Sequence, residues 1–250
     1  MNKQHKQLIL DFYSKVIGQG NTDLANLLIS ENYIQHNPLV KSGRGGFMEF
    51  LNMLKKMPKP EDPQKPFMRI ITEDEYVAVH LQIKFMGQEN AVVDLFRIEN
   101  ERVAEHWDAV QLISDANNHR NPVVKGTVSI DEEASTATNK KLVADFVHAV
   151  LVKRRFDLAN LYISDDLKQH DPAIENGAEP FVNYLKKYNT FKLYRTIGEH
   201  NFVLTQGRAV KGSSSFVCYN IYRLHKGKIV EHWMVKQRIP EQMAHSNGMI

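Results

Sequence analysis

The chain has 250 residues, 42% of them hydrophobic and 24% charged, with a formal net charge of +3, which suffices for one large or two small soluble domains. Acidic and basic residues are interspersed, and the densest basic run, VKRR (152–155), reads as a solvated helix end, so no nucleic-acid partner is expected. Cys218 is the only cysteine, which excludes an intramolecular disulfide, and neither a signal-peptide core nor a stretch of membrane-spanning length is present, so a cytoplasmic protein without a membrane partner is expected.

In chain order, residues 3–17 place Leu8, Phe12 and Val16 at i, i+4 and i+8, a helical period. Asn21, Thr22 and Asp23 offer an N-cap for a short second helix. A third is expected after GRGG (43–46), through Phe47, Phe50, Leu51 and Leu54. The Pro-rich stretch 57–66 reads as a loop. The period then becomes two: Val77, Val79, Leu81, Ile83 and Phe85 alternate with Ala78, His80, Gln82 and Lys84. Strands are expected at about 90–98 and 102–111, and a polar, turn-rich stretch follows at 114–139.

The chain then repeats itself. DLANLLISENYIQHNP (23–38) and DLANLYISDDLKQHDP (157–172) agree at ten of sixteen positions. Leu8, Phe12 and Val16 return as Leu142, Phe146 and Val150, and EHW (105–107) returns as EHW (231–233). The spacing between copies falls from 134 to 126 residues, which places a deletion in the second copy opposite the Pro-rich loop. The likeness reaches His119 and Asn121, which align with His245 and Asn247. The expected organisation is a first domain at 1–122, a linker at 123–137 and a second domain at 138–250. Helices first and antiparallel strands after give each copy an α+β fold.

The copies differ where the chemistry is. Asp94 and Asp108 of the first hairpin become Asn220 and Met234 in the second. In the second turn, HKGK (225–228), Gly227 suits a type I turn closed by a G1 bulge, a register that pairs Leu224 with Lys228. Carried to the first copy, it sets Asp94 opposite His106 and Val92 opposite Asp108. Val92, Asp94, Phe96, His106 and Asp108 then share one face, and Leu95, Arg97, Glu105 and Trp107 the other.

The early YIQHNP, the Gly-led third helix, and DLFR followed by EHWDAVQ resemble the SnoaL-like polyketide cyclase family of the nuclear transport factor 2-like superfamily, once per repeat. The resemblance implies two tandem cone-shaped domains, each a curved, mainly antiparallel sheet wrapped by about three helices around a ligand pocket. In those cyclases an Asp serves as general acid/base in an aldol ring closure without metal or cofactor. The matching residue is Asp108, and Asp94 takes the place of a polar partner that is often His. Single domains of this superfamily often dimerise through the outer sheet face. That implies an intramolecular pseudo-dimer with Trp107 and Trp233 at or near the contact, with a homodimer as a further option.

Asp108, Asp94, His106 and His36 are therefore the candidate catalytic residues. His80, Gln82, Val92 and Phe96 in the first copy, and His170, Asn220, Tyr222 and His232 in the second, are the candidate ligand contacts. No cofactor is expected, and His36, His106 and a carboxylate lack the spacing of a metal motif. The expected function is an isomerase- or cyclase-like enzyme abstracting a proton beside the carbonyl of a small hydrophobic compound. The alternative is a non-enzymatic protein that binds a small hydrophobic ligand. The second copy, without either Asp, is expected to be degenerate, kept for packing or for binding.

Overall fold

The computed structural model describes residues 2–57, 68–85, 87–113 and 122–250; the Pro-rich stretch from 58 to 66, and with it the expected loop, lies outside them, as do His119 and Asn121. The first half runs α1 (Asn2–Asp11), a π-helical turn (Phe12–Ile17), α2 (Thr22–Leu28), β1 (Ile29–Gln35), α3 (Gly43–Lys56), β2 (Met68–Glu73), β3 (Tyr76–Phe85), β4 (Gln88–Glu99) and β5 (Arg102–Leu112). The second repeats the order: α4 (Thr136–Phe146), a π-helical turn (Val147–Val152), a 3-10 turn (Phe156–Leu161), β6 (Ile163–Gln169), α5 (Ala178–Leu185), β7 (Thr190–Glu199), β8 (Phe202–Lys211), β9 (Ser214–His225) and β10 (Lys228–Arg238). None of the described helices is long and apolar enough to cross a membrane.

The two halves are tandem α+β domains, each built on an open five-stranded sheet, β1-β5-β4-β3-β2 and β6-β10-β9-β8-β7. β1 and β6 join their sheets in parallel; the other pairings are antiparallel. Local chemistry explains most elements. Asn21 caps α2 by accepting the Leu24 amide at 2.9 Å. Phe47 and Leu51, one turn apart on α3, are buried against the sheet with Ile9, Phe12 and Val16. Val77, Val79 and Leu81 of β3 join that core, while Ala78 faces the other way. Two strands per half were not expected from periodicity. β1 and β6 alternate poorly, and they form because β5 and β10 offer them a parallel edge.

The hairpin register differs from the expected one. Glu99 pairs with Arg102 and His225 with Lys228, so each turn holds two residues. Asn100 and Glu101, and Lys226 and Gly227, all have positive φ, the signature of the primed turn that matches strand twist. Beyond the turn, Ile98 pairs with Val103 but Arg97 with Glu105, and Leu224 with Ile229 but Arg223 with Glu231. Ala104 and Val230 are thus bulge residues without a partner. The bulge restores the expected faces by another route. Asp94 lies opposite Asp108, and Phe96 opposite His106.

The outer sheet faces pack against each other in one shared core. It unites Leu95, Trp107 and Ala109 with Tyr219, Trp233 and Val235, and both tryptophans are fully buried. The contacts obey a pseudo-two-fold. Gln111 Oε1 accepts the Lys236 amide at 3.0 Å, and Gln237 Oε1 the Val110 amide at 2.8 Å. The Arg69 guanidinium lies 3.8 Å from the Trp233 ring centroid, and that of Arg195 4.0 Å from the Trp107 ring centroid. Glu73 accepts the Gly198 amide and Glu199 the Thr72 amide, each at 2.9 Å. Residues 123 and 124, at the start of the expected linker, are buried in this core, and Trp233 Nε1 donates to Lys125 O at 2.7 Å.

Because the core is shared, the halves should unfold together. Trp233→Ala is expected to cost about 3–5 kcal/mol. The fluorescence of the remaining Trp107 should lose its signal at the same lowered urea midpoint as the far-ultraviolet circular dichroism. A Trp107 transition that stays at the wild-type midpoint would show the domains to be uncoupled.

Candidate functional site

The inner face of the first sheet carries one polar cluster in an otherwise apolar core. β4 supplies Asp94, and β5 supplies His106 and Asp108. All three side chains point toward the helices because they alternate with Leu95, Trp107 and Ala109, which the interface buries. His106 Nε2 lies 3.0 Å from Asp94 Oδ1, and Nδ1 lies 2.9 Å from Gln35 Oε1. That Gln35 oxygen also accepts the His36 and Asn37 amides at 2.9 Å each, so it faces His106 as an acceptor. Both ring nitrogens of His106 therefore donate, the arrangement of an imidazolium. Burial lowers its pKa, but the hydrogen bond and charge of Asp94 outweigh this, and the net shift is upward.

Asp108 is 5% exposed. Asn37 Nδ2 donates to its Oδ2, and Asn37 is oriented for this because its own Oδ1 accepts the Leu39 amide at 2.9 Å. Asp108 Oδ1 is buried with no hydrogen-bond partner among the described residues. Burial pushes the Asp108 carboxyl up to about 6; the His106 charge and the Asn37 bond oppose the rise, and Asp94 adds to it. Tyr13 OH donates to Asp94 Oδ2 from the π-helical turn, and Tyr33 OH accepts from Gln35 Nε2 at 3.0 Å. Burial first, and then the nearby carboxylates, raise both phenols well above their usual pKa, so both stay protonated. Asp94, His106 and Asp108 each offer one donor atom within 4.8 Å of the others, a spread that a divalent cation could draw together. A cation would have to take His106 Nε2 from its hydrogen bond with Asp94.

Not every expected residue belongs to the cluster. Val92 and Phe96 do, on the inner face, and the Phe96 ring stacks on His106 at 4.7 Å. His36, expected beside the carboxylates, faces the interface. Its Nε2 meets Glu105 Oε1 at 2.9 Å, its Nδ1 meets Gly248 O at 2.8 Å, and its ring stacks on Trp107 at 4.8 Å. His80 also lies on the interface side, with Nδ1 2.8 Å from Arg69 Nη1, and Gln82 is hydrogen-bonded to Glu89 at 3.1 Å. The His80 and Gln82 departures have one cause. Side chains alternate along a strand, so β3 sends His80 and Gln82 away from the face of Val79 and Leu81.

In the second domain Asn220, Tyr222 and His232 lie on the inner face. His170 does not: it binds Glu231 Oε1 at 2.8 Å and stacks on Trp233 at 4.7 Å. His232 repeats the frame, with Nδ1 3.0 Å from Gln169 and Nε2 3.1 Å from Asn220. Without a carboxylate, burial draws its pKa down to about 3. Tyr13, Tyr33, Gln35 and Asn37 were not anticipated in the first site. Comparing the copies would have flagged three of them, since Tyr13, Tyr33 and Asn37 become Val147, Leu167 and Asp171, whereas Gln35 is unchanged as Gln169.

Residues 7–116 match the family model described as SnoaL-like polyketide cyclase. No curated protein matches the chain. Among solved structures, a nuclear transport factor 2-like protein of unknown function from Cytophaga hutchinsonii is 20% identical, with 42% of this chain and 94% of that one covered and a TM-score of 0.37. An LEH-like epoxide hydrolase from M. tuberculosis is 18% identical, with 41% and 84% covered and a TM-score of 0.35. A SnoaL-like polyketide cyclase from Agrobacterium tumefaciens is 13% identical, with 40% and 91% covered and a TM-score of 0.34.

The two histidines give a direct test of what the carboxylate does. Asn220→Asp should raise the His232 pKa from about 3 by several units, and Asp94→Asn should lower that of His106. Imidazole C–H shifts followed by NMR against pH measure both. The neutral, buried His232 costs the wild-type fold stability as pH falls below the unfolded value of about 6.5. Asn220→Asp should reduce that acid sensitivity. An unmoved His232 pKa would rule out the Asp–His coupling.

Proposed function

We propose that the first domain is an isomerase- or cyclase-type catalyst in which Asp108 is the general base. The observation that carries this is the Asp108 carboxylate, buried with Oδ1 unpartnered and shifted up to about 6. A base of that pKa is largely ionised at neutral pH and strong enough to remove a proton beside a carbonyl. Asn37 holds the other oxygen in place. The His106 imidazolium, kept charged by Asp94 and committed at both ring nitrogens, supports an enolate beside Asp108 through its positive charge. Tyr13 and Gln35 fix the Asp94–His106 pair. The surrounding side chains, Phe12, Val92 and Phe96, favour a small hydrophobic carbonyl compound.

A second reading is favoured in the second domain. A cleft there is lined by Leu151, Phe156, Leu185, Phe191 and Met234, with Asn220 as a polar contact. We propose that it serves binding, because Met234 stands where the first domain has Asp108 and burial leaves His232 uncharged.

The enzymatic reading is tested by incubating the protein with carbonyl compounds in D2O and following deuterium uptake at the α-carbon by NMR. Asp108→Asn should reduce exchange about 10²–10⁴-fold. Full exchange in that variant would remove Asp108 from the role. The same change has a stability signature. The folded pKa of about 6 lies above the unfolded value of about 3.8, so the native state binds the proton more tightly and loses stability as pH rises from 4 through 6. Asp108→Asn removes that loss, and should stabilise the fold at pH 7.5 relative to wild type by on the order of 2–3 kcal/mol while changing it little at pH 4. Urea denaturation at the two pH values measures this, and a variant destabilised equally at both would contradict the buried-base reading.

A further inference from the structure

We propose that the segment after β10, residues 244–248, is a positioning element of the first-domain site, so that the second half of the chain completes a site it does not itself contain. The proposal deepens the reading of Asp108 as the base and rests on it. Two residues orient the reacting groups: Gln35, which holds His106, and Asn37, which holds Asp108. Gln35 ends β1 and Asn37 sits on the turn that follows, and this stretch is fastened by residues 244–248. Ala244 N donates to Pro38 O at 2.8 Å. His245 Nε2 donates to Asn37 O at 2.9 Å, and its Nδ1 accepts the Asn247 amide at 3.2 Å, which fixes the tautomer. Asn247 Nδ2 donates to Gln35 O at 3.0 Å and to Ser42 Oγ at 2.9 Å. His36 Nδ1 donates to Gly248 O at 2.8 Å. Met249, buried in the shared core, anchors the far side of these bonds.

The backbone of Gln35, Asn37 and Pro38 is thus held on the side opposite to the one their side chains serve. Gln35 uses Oε1 for His106 and its carbonyl for Asn247; Asn37 uses Nδ2 for Asp108 and its carbonyl for His245. A shift of this turn moves both orienting groups at once, and a displacement of about 1 Å is enough to cost rate in a preorganised site. The second domain has a related contact, His170 Nδ1 to Pro122 O at 2.9 Å, supplied by the last residue of the expected first domain. There Gln169 holds His232 as Gln35 holds His106, but the turn carries Asp171 and the sheet position of Asp108 holds Met234, so the Asn37–Asp108 pair has no counterpart.

The experiment uses the full chain with 15N-labelled histidine and measures the exchange lifetime of the His106 Nδ1 proton, with the ring proton of His232 as an internal control. Asn247→Asp keeps the shape and removes the donor; His245→Ala removes the other. Each should shorten the His106 lifetime about tenfold while His232 changes less than about twofold. His245→Gln, whose amide can replace Nε2–H, should restore it. An unchanged His106 lifetime in both variants overturns the proposal. So does a parallel change at His232, which reports general loosening, and so does equal shortening by His245→Gln and His245→Ala. The readout needs no substrate. A positive result with no α-proton exchange in any compound would therefore defeat the catalytic reading and leave the positioning intact.

Discussion

A single extra residue in each hairpin decides which side chains meet. With Ala104 and Val230 bulged out, the strands beyond them pair so that Asp94, His106 and Asp108 face the helices while Glu105 and Trp107 face the other domain. Side chains alternate with period two, so a hairpin with the same two-residue turn and no bulge would send one strand's set to the wrong face. The carboxylates would then lie in the interface or Glu105 in the core, each without the partners it has. Site and interface are two sides of the same register.

The outer side is the conservative one. Each Glu binds its Arg and its His, each His stacks on its Trp, and each Trp faces an Arg from the other domain. Both copies keep this set because the pseudo-two-fold uses both at once. Glu231 illustrates how tightly it is held. Burial raises its pKa, but bonds from His170, Arg223 and Thr127 more than compensate and keep it a carboxylate. The inner side is free to diverge, because an apolar core forms with or without a polar cluster. Val147, Leu167, Asn220 and Met234 of the second domain fill the places of Tyr13, Tyr33, Asp94 and Asp108. Their neutral frame leaves His232 uncharged, whereas the first domain retains a buried acid at a cost in stability.

Comparing one part of the sequence with another made the duplication legible, and the identity of the residues that differ, Asp94 and Asp108, made the candidate chemistry legible. Alternation in β3, the cap at Asn21 and the apolar spacing of α1 and α3 each express a local rule, so the helices-then-strands order followed from the residues alone. The shared face of Asp94, His106 and Asp108 was also reached from sequence, but through a three-residue turn that does not form. What the sequence could not supply is what depends on contacts between distant residues. β1 is a strand only because β5 lies beside it. His36 stands two residues before Pro38 in the repeated motif by inspection and on the interface side by geometry, and alternation along β3 sends His80 to the same side. Gln35 and Asn37 orient the site because a turn brings them there, and residues 244–248 reach that turn only because two domains pack face to face. Local propensity and internal repetition are properties of the chain; register, facing and partnership are set by burial, which only the folded whole defines.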